Sequence, residues 1–154
     1  MIREYESYHG VVLSRLLHAV GEDVTLRALT KYGNVAYLVN RTTVLYIKYS
    51  SKRLSPWNFS FNNEHRMDIL SLHKHFGKVV LALVCGDDGV VAIDFEEFQH
   101  LLGIPSEKGA WISCSRRRRE MYAVKGLAGE LDSKIGDGYL IEKLRSSADN
   151  KQIC

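Results

Sequence analysis

Apolar residues recur at helical spacing through the first twenty positions. Tyr5, Val12, Leu13, Leu16, Leu17 and Val20 form a stripe, and Gly21 stands where a helix stops, so a helix is predicted from Arg3 to Val20. Glu4 and Glu6 in its first turn suit the positive end of the helix dipole. The spacing then shortens to alternation. Val24 to Thr30, Val35 to Asn40 and Val44 to Ser50 read as strands, joined by the Tyr32-Gly33-Asn34 turn and by the Asn40 to Thr43 connector. Connectors this short make the neighbours antiparallel, giving a three-strand meander. Pro56 closes the exit from the third strand. A second helix is predicted from Glu64 to Phe76, capped by Asn62 or Asn63, with Met67, Ile69, Leu70, Leu72 and Phe76 as its apolar contacts.

Val79 to Cys85 is apolar without interruption, the pattern of a central strand covered on both faces. Because a helix precedes it, it is expected to run parallel to an earlier strand. Gly86-Asp87-Asp88-Gly89 is turn chemistry leading to a short strand, Val90 to Ile93. Asp94 with Glu97 opens a third helix, Phe95 to Leu102, which Gly103 and Pro105 close. Trp111 to Ser115 and Met121 to Val124 make a final hairpin, and the composition turns polar and Gly-rich from Gly126. The expected fold class is therefore α/β (α+β): a mixed sheet with an antiparallel meander and a buried central strand, flanked by helices. One globular domain spans 1–145, and 146–154 is expected to be a frayed tail.

Length and composition agree with that picture. A chain of 154 residues with 45% hydrophobic and 25% charged residues suits one soluble globular domain. The Val79 to Cys85 run falls far short of the roughly 20 residues a spanning helix needs. The N-terminus is polar and lacks an apolar signal core, so a cytoplasmic location is expected. Cys85, Cys114 and Cys154 are isolated, which supports neither a zinc knuckle nor a disulfide framework; Cys85 and Cys114 read as buried thiols.

A formal charge of +3 is mild, and its distribution says more. Arg116-Arg117-Arg118-Arg119 gathers four cations, and Lys48, Lys52 and Arg53 gather three. Lys48 is a lone charge in an apolar strand. Alternation puts it on one face with Val44, Tyr46 and Ser50, while Leu45, Ile47 and Tyr49 face the other way. It is either a phosphate contact or a lysine whose stem packs while its ammonium reaches water. The segment from Ser50 to Trp57 mixes hydroxyls, cations and an indole, as surfaces that hold phosphates and stack on bases do. It also reads as a loop whose Trp57 and Phe59 dock on the body. The arginine run is a hairpin tip suited to a nucleic-acid backbone, or a solvated tip; alternation separates Arg116 and Arg118 from Arg117 and Arg119. His65, His73 and His75 lack the spacing that stacks two ligands on a helix.

Helix, three-strand meander, helix and buried strand, with Lys48 on the third strand, is an order that resembles the restriction-endonuclease-like superfamily, the PD-(D/E)xK nucleases. The resemblance implies a metal-dependent phosphodiesterase site with an aspartate at the end of the second strand and an acid two positions before the lysine. Lys48 matches. Asn40 stands nearest the aspartate, Tyr46 replaces the second acid, and Glu4 or Glu6 is the counterpart of a first-helix glutamate. The implied catalytic residues are Lys48, Asn40 and Glu6, with Mg2+ if the protein cuts and with Asp23 and Asp87 as further acids. With the central carboxylates missing, the resemblance implies a degenerate relative that binds DNA or another nucleic acid without cutting it, or a rebuilt site. The binding residues would be Lys48, Lys52, Arg53, Trp57, Arg116, Arg117, Arg118 and Arg119, and the family habit implies a homodimer. The alternative is a protein-interaction module with an apolar surface of Trp57, Phe59, Phe61 and Trp111.

Overall fold

The structure is a computed structural model that describes residues 1–105 and 108–145. Helix α1 (Glu4–Val20) is followed by strands β1 (Leu26–Ala28), β2 (Ala36–Val39) and β3 (Thr43–Ser50), with a 3-10 turn at Thr30–Tyr32. Strand β4 (Trp57–Phe61), helix α2 (Asn63–Phe76), strands β5 (Val79–Cys85) and β6 (Gly89–Asp94) and helix α3 (Phe95–Leu102) come next. Strands β7 (Ala110–Ser115) and β8 (Ala123–Gly126) follow. A last helical segment occupies 140–145, and the expected tail at 146–154 lies outside the described residues.

Five strands form the main sheet in the order β1-β2-β3-β5-β6. The meander is antiparallel, and β5 joins β3 in parallel, Val44 beside Val79 through Ser50 beside Cys85. The α2 crossover makes that parallel pairing possible. The sheet is covered on both sides. Leu45, Ile47, Val80, Ala82 and Val84 pack with Val12 and Leu16 of α1 on one face. Val44, Tyr46, Leu81 and Leu83 pack with Ile69 and Leu72 of α2, with α3, and with a second, three-stranded sheet on the other.

That second sheet, β4-β7-β8, corrects the expectation from sequence. The final hairpin does not extend the main sheet; it pairs with Trp57–Phe61, a segment that reads as loop from its Pro56 and neighbouring cations. Trp57, Phe59 and Phe61 alternate with exposed Asn58 and Ser60, and all three aromatics are core. This alternation is the mark of a half-buried strand. Met67 also departs from its expected apolar contact, being 62% exposed, because α2 turns Arg66, Ile69 and Leu72 inward.

Local signals are followed closely elsewhere. Asn62 caps α2 by accepting from the His65 amide at 2.8 Å, and Asp94 with Glu97 forms a reciprocal capping box on α3. Among the described residues, no helix is long and apolar enough to cross a membrane.

Candidate functional site

The β-strand period fixes where Lys48 points. It shares the inward face of β3 with Tyr46, toward β4 and the start of α2. Its ammonium donates to the Ser60 carbonyl and lies 4.3 Å from the centre of the Phe61 ring. His65 Nδ1 is 3.4 Å away and also faces the Asn62 amide at 3.3 Å. Two N–H donors aimed at one ring nitrogen make Nδ1 the unprotonated nitrogen of a neutral imidazole. Burial pushes the Lys48 pKa down to about 8. Burial, then the Lys48 charge, lowers that of His65. Lys48 is thus a half-buried cation that ties the main sheet to the β4–α2 junction.

The other residues of the expected catalytic set lie elsewhere. Asn40 occupies the tight β2–β3 turn with φ 50°, and its Oδ1 accepts from the Thr25 amide at 3.0 Å. Because β2 and β3 are antiparallel, the end of β2 adjoins the start of β3, whereas Lys48 is near the end of β3. Five residues of strand, roughly 16 Å, separate the two positions. Glu6 sits in the first turn of α1, where its carboxylate accepts from the Arg3 amide at 3.1 Å, and α1 covers the opposite face of the sheet. Asp23 precedes β1 at the Asn40 end. Asp87, with Glu4, Tyr8 and Arg15, lines a cleft of about 490 Å³ on the α1 side.

Tyr46 is 2% exposed, and its phenol is pushed up to about 12 by burial and then by Asp68 and Glu64. A neutral phenol, a carbonyl-bound ammonium and an uncharged imidazole are not a magnesium donor set, which calls for carboxylates and water. Among the described residues, no group of three or more His, Cys, Asp or Glu side chains could hold a metal ion. The residues at Lys48 do not fit that ion.

The cations are organised at a different place. Three connectors meet at one end of the molecule, beyond the last residues of β3, β5 and β7. Gly86 N donates to the Ser50 carbonyl at 2.8 Å, and Gly86, with φ 53°, lies so close to the Lys52 carbonyl that a Cβ has no room. Trp57 Nε1 donates to the same carbonyl at 2.8 Å. The Arg116 amide donates to the Ser55 hydroxyl at 3.2 Å. Arg116 Nε pairs with Asp88 Oδ2 at 2.6 Å, its guanidinium lies 4.2 Å over the Tyr122 ring, and the Tyr122 hydroxyl donates to the same carboxylate oxygen. Burial opposes ionisation of Asp88, but the bonds from Arg116 and Tyr122 outweigh it and hold the carboxyl below its usual range.

Of the expected nucleic-acid contacts, Trp57 is out of reach of any ligand. It is 3% exposed and packs edge-on against Tyr122. Arg116 is committed to Asp88. Lys52 donates to the Pro56 carbonyl at 2.9 Å but remains exposed, as do Arg53, Arg117, Arg118 and Arg119. The Ser55–Arg116 contact brings these two groups of cations to one edge. The Asp88–Arg116–Tyr122 clamp behind them has no signature in the sequence, where Asp88 reads as turn chemistry or, with Asp87, as a carboxylate for a metal. Comparison with protein-family models, curated proteins and solved structures gives no match.

Proposed function

We propose that this protein binds nucleic acid through the cationic edge where the β3–β4 loop meets the β7–β8 tip. Lys52, Arg53, Arg117, Arg118 and Arg119 supply the phosphate contacts. The observation that carries this reading is the Ser55–Arg116 contact, which joins two basic segments 61 positions apart in sequence at one exposed end. Lys48 acts inside the fold and has no part in the surface. With a phenol at Tyr46, the Lys48 ammonium held by a carbonyl, a ring and an imidazole, and no group of three or more metal-ligating side chains among the described residues, the geometry supports binding rather than metal-assisted hydrolysis. The interaction-module alternative loses its surface, since Trp57, Phe59 and Phe61 are core.

A salt titration of DNA binding tests the reading. Affinity is expected to fall linearly on logarithmic axes as salt rises. Replacing Arg117, Arg118 and Arg119 together by alanine should lower the slope by up to about 2–3, near 0.9 for each phosphate that is no longer neutralised. Lys48→Ala should leave the slope unchanged. Absence of measurable binding at low salt would sink the proposal.

A further inference from the structure

The outer face of the small sheet is largely open to solvent. Along β4, β7 and β8 the inward side chains Phe59, Phe61, Ile112, Cys114 and Val124 are buried in the core. The outward ones include Asn58, Ser60, Trp111 and Lys125, all exposed. Register arranges them in rows: Asn58 beside Ser113 beside Lys125, and Ser60 beside Trp111. One row therefore presents an amide and an ammonium on either side of the small, buried Ser113. The next presents a hydroxyl and an indole, the latter on the central strand.

Trp111 is 37% exposed. Its neighbours on β7 fill the core side, so its ring lies on the outer face of the sheet, partly covered and partly open to solvent. β7 ends at Ser115, and the turn that follows carries Arg117, Arg118 and Arg119, the first of them no more than roughly 20 Å along the chain from Trp111. Lys125 on the adjacent strand stands in register beside the exposed Glu130, so the positive charge of this side comes from the arginine tip. An aromatic on an open sheet face, polar side chains on its flanks and cations along one direction match the components that hold an unpaired strand.

We infer that this face is a stacking platform for single-stranded nucleic acid, an inference that rests on the nucleic-acid reading above and narrows its ligand class. A base lies on the Trp111 indole. Asn58 and Ser60 reach its edge, while the arginine tip takes the phosphates. Duplexes are disfavoured there because their base faces are covered by neighbouring base pairs, and a broad sheet face enters neither groove.

The test uses the intact protein with a labelled oligonucleotide, presented as a single strand and as its duplex at low salt. Wild type is expected to prefer the single strand, with quenching of tryptophan emission. Trp111→Ala should weaken single-strand binding roughly five- to 150-fold, the effect of one stacked base. Its duplex binding should be unchanged. Trp111→Phe should keep most of the affinity yet lose the quenching, since Trp57 is buried. Equal affinity for both forms, insensitive to Trp111→Ala, would overturn the platform while leaving the cationic edge in place. No binding of either form would overturn both.

Discussion

An ammonium enclosed by the Ser60 carbonyl, the Phe61 ring and a neutral His65 is partly stripped of water, and its proton affinity records the cost. Lys48 falls from an ordinary 10.5 to about 8 in the folded protein. At 1.36 kcal/mol per unit this is an unfavourable contribution of at most about 3 kcal/mol while the group is charged. The sign follows from proton binding. Between about pH 8 and 10.5 the unfolded chain keeps a proton that the folded chain has lost, so stability from this group rises with pH across that window. Lys48→Met keeps most of the stem without the charge. It should be at least as stable as wild type at pH 7, and the difference should shift in favour of wild type by pH 10 in urea denaturation. If wild type instead lost ground over that range, the Ser60 bond and the Phe61 ring would be stabilising the ammonium more than burial opposes it.

Strand β4 carries its own prediction. Phe59→Ala removes a ring that is 2% exposed between the two sheets and should cost about 3–5 kcal/mol in thermal or denaturant unfolding. Asn58→Ala, one position away on the exposed face, should stay within about 0.5 kcal/mol. Equal effects at the two positions would contradict the alternation. That alternation is visible in Trp57-Asn58-Phe59-Ser60-Phe61, but Pro56 and the adjacent cations make the segment resemble a binding loop. Its partner, Ala110–Ser115, lies about fifty positions on, so no local signal could name it. By contrast α2, α3 and β5 are legible, because caps and an unbroken apolar run are written in neighbouring residues. The face on which Lys48 lies is legible for the same reason. Its partners are not, since Ser60, Phe61 and His65 reach it only through tertiary packing. The distance of Asn40 from Lys48 is implicit in the sequence: antiparallel pairing alone sends the end of β2 away from the end of β3.

Across the whole molecule, the Asp88 clamp ties the β5–β6 turn to the β7–β8 connector, and the Arg116 amide passes that tie on to Ser55 of the β3–β4 loop, so one carboxylate helps to shape the cationic end. The carboxyl is held below its usual range when folded, and its stabilising contribution is present above the unfolded pKa and lost as pH falls through the folded one. Asp88→Asn should lower stability near neutrality by about 1 kcal/mol, a charge-assisted hydrogen bond discounted for the exposure of the carboxyl. The gap from wild type should close on acidification, as monitored by melting temperature from pH 7 to 3. A gap that persists unchanged at pH 3 would mean that the ionised form is not what holds the connectors. The parallel seam between β3 and β5 has a separate consequence, for the order of folding. The meander and the β5–β6 hairpin each join close neighbours, whereas Val44 meets Val79 across thirty-five positions. Loop closure of that length delays the seam relative to the two local halves. Once it closes, β5 is covered on both faces and bonded on both edges. Its amides should therefore exchange with deuterium only when the entire domain opens, last among those of the chain.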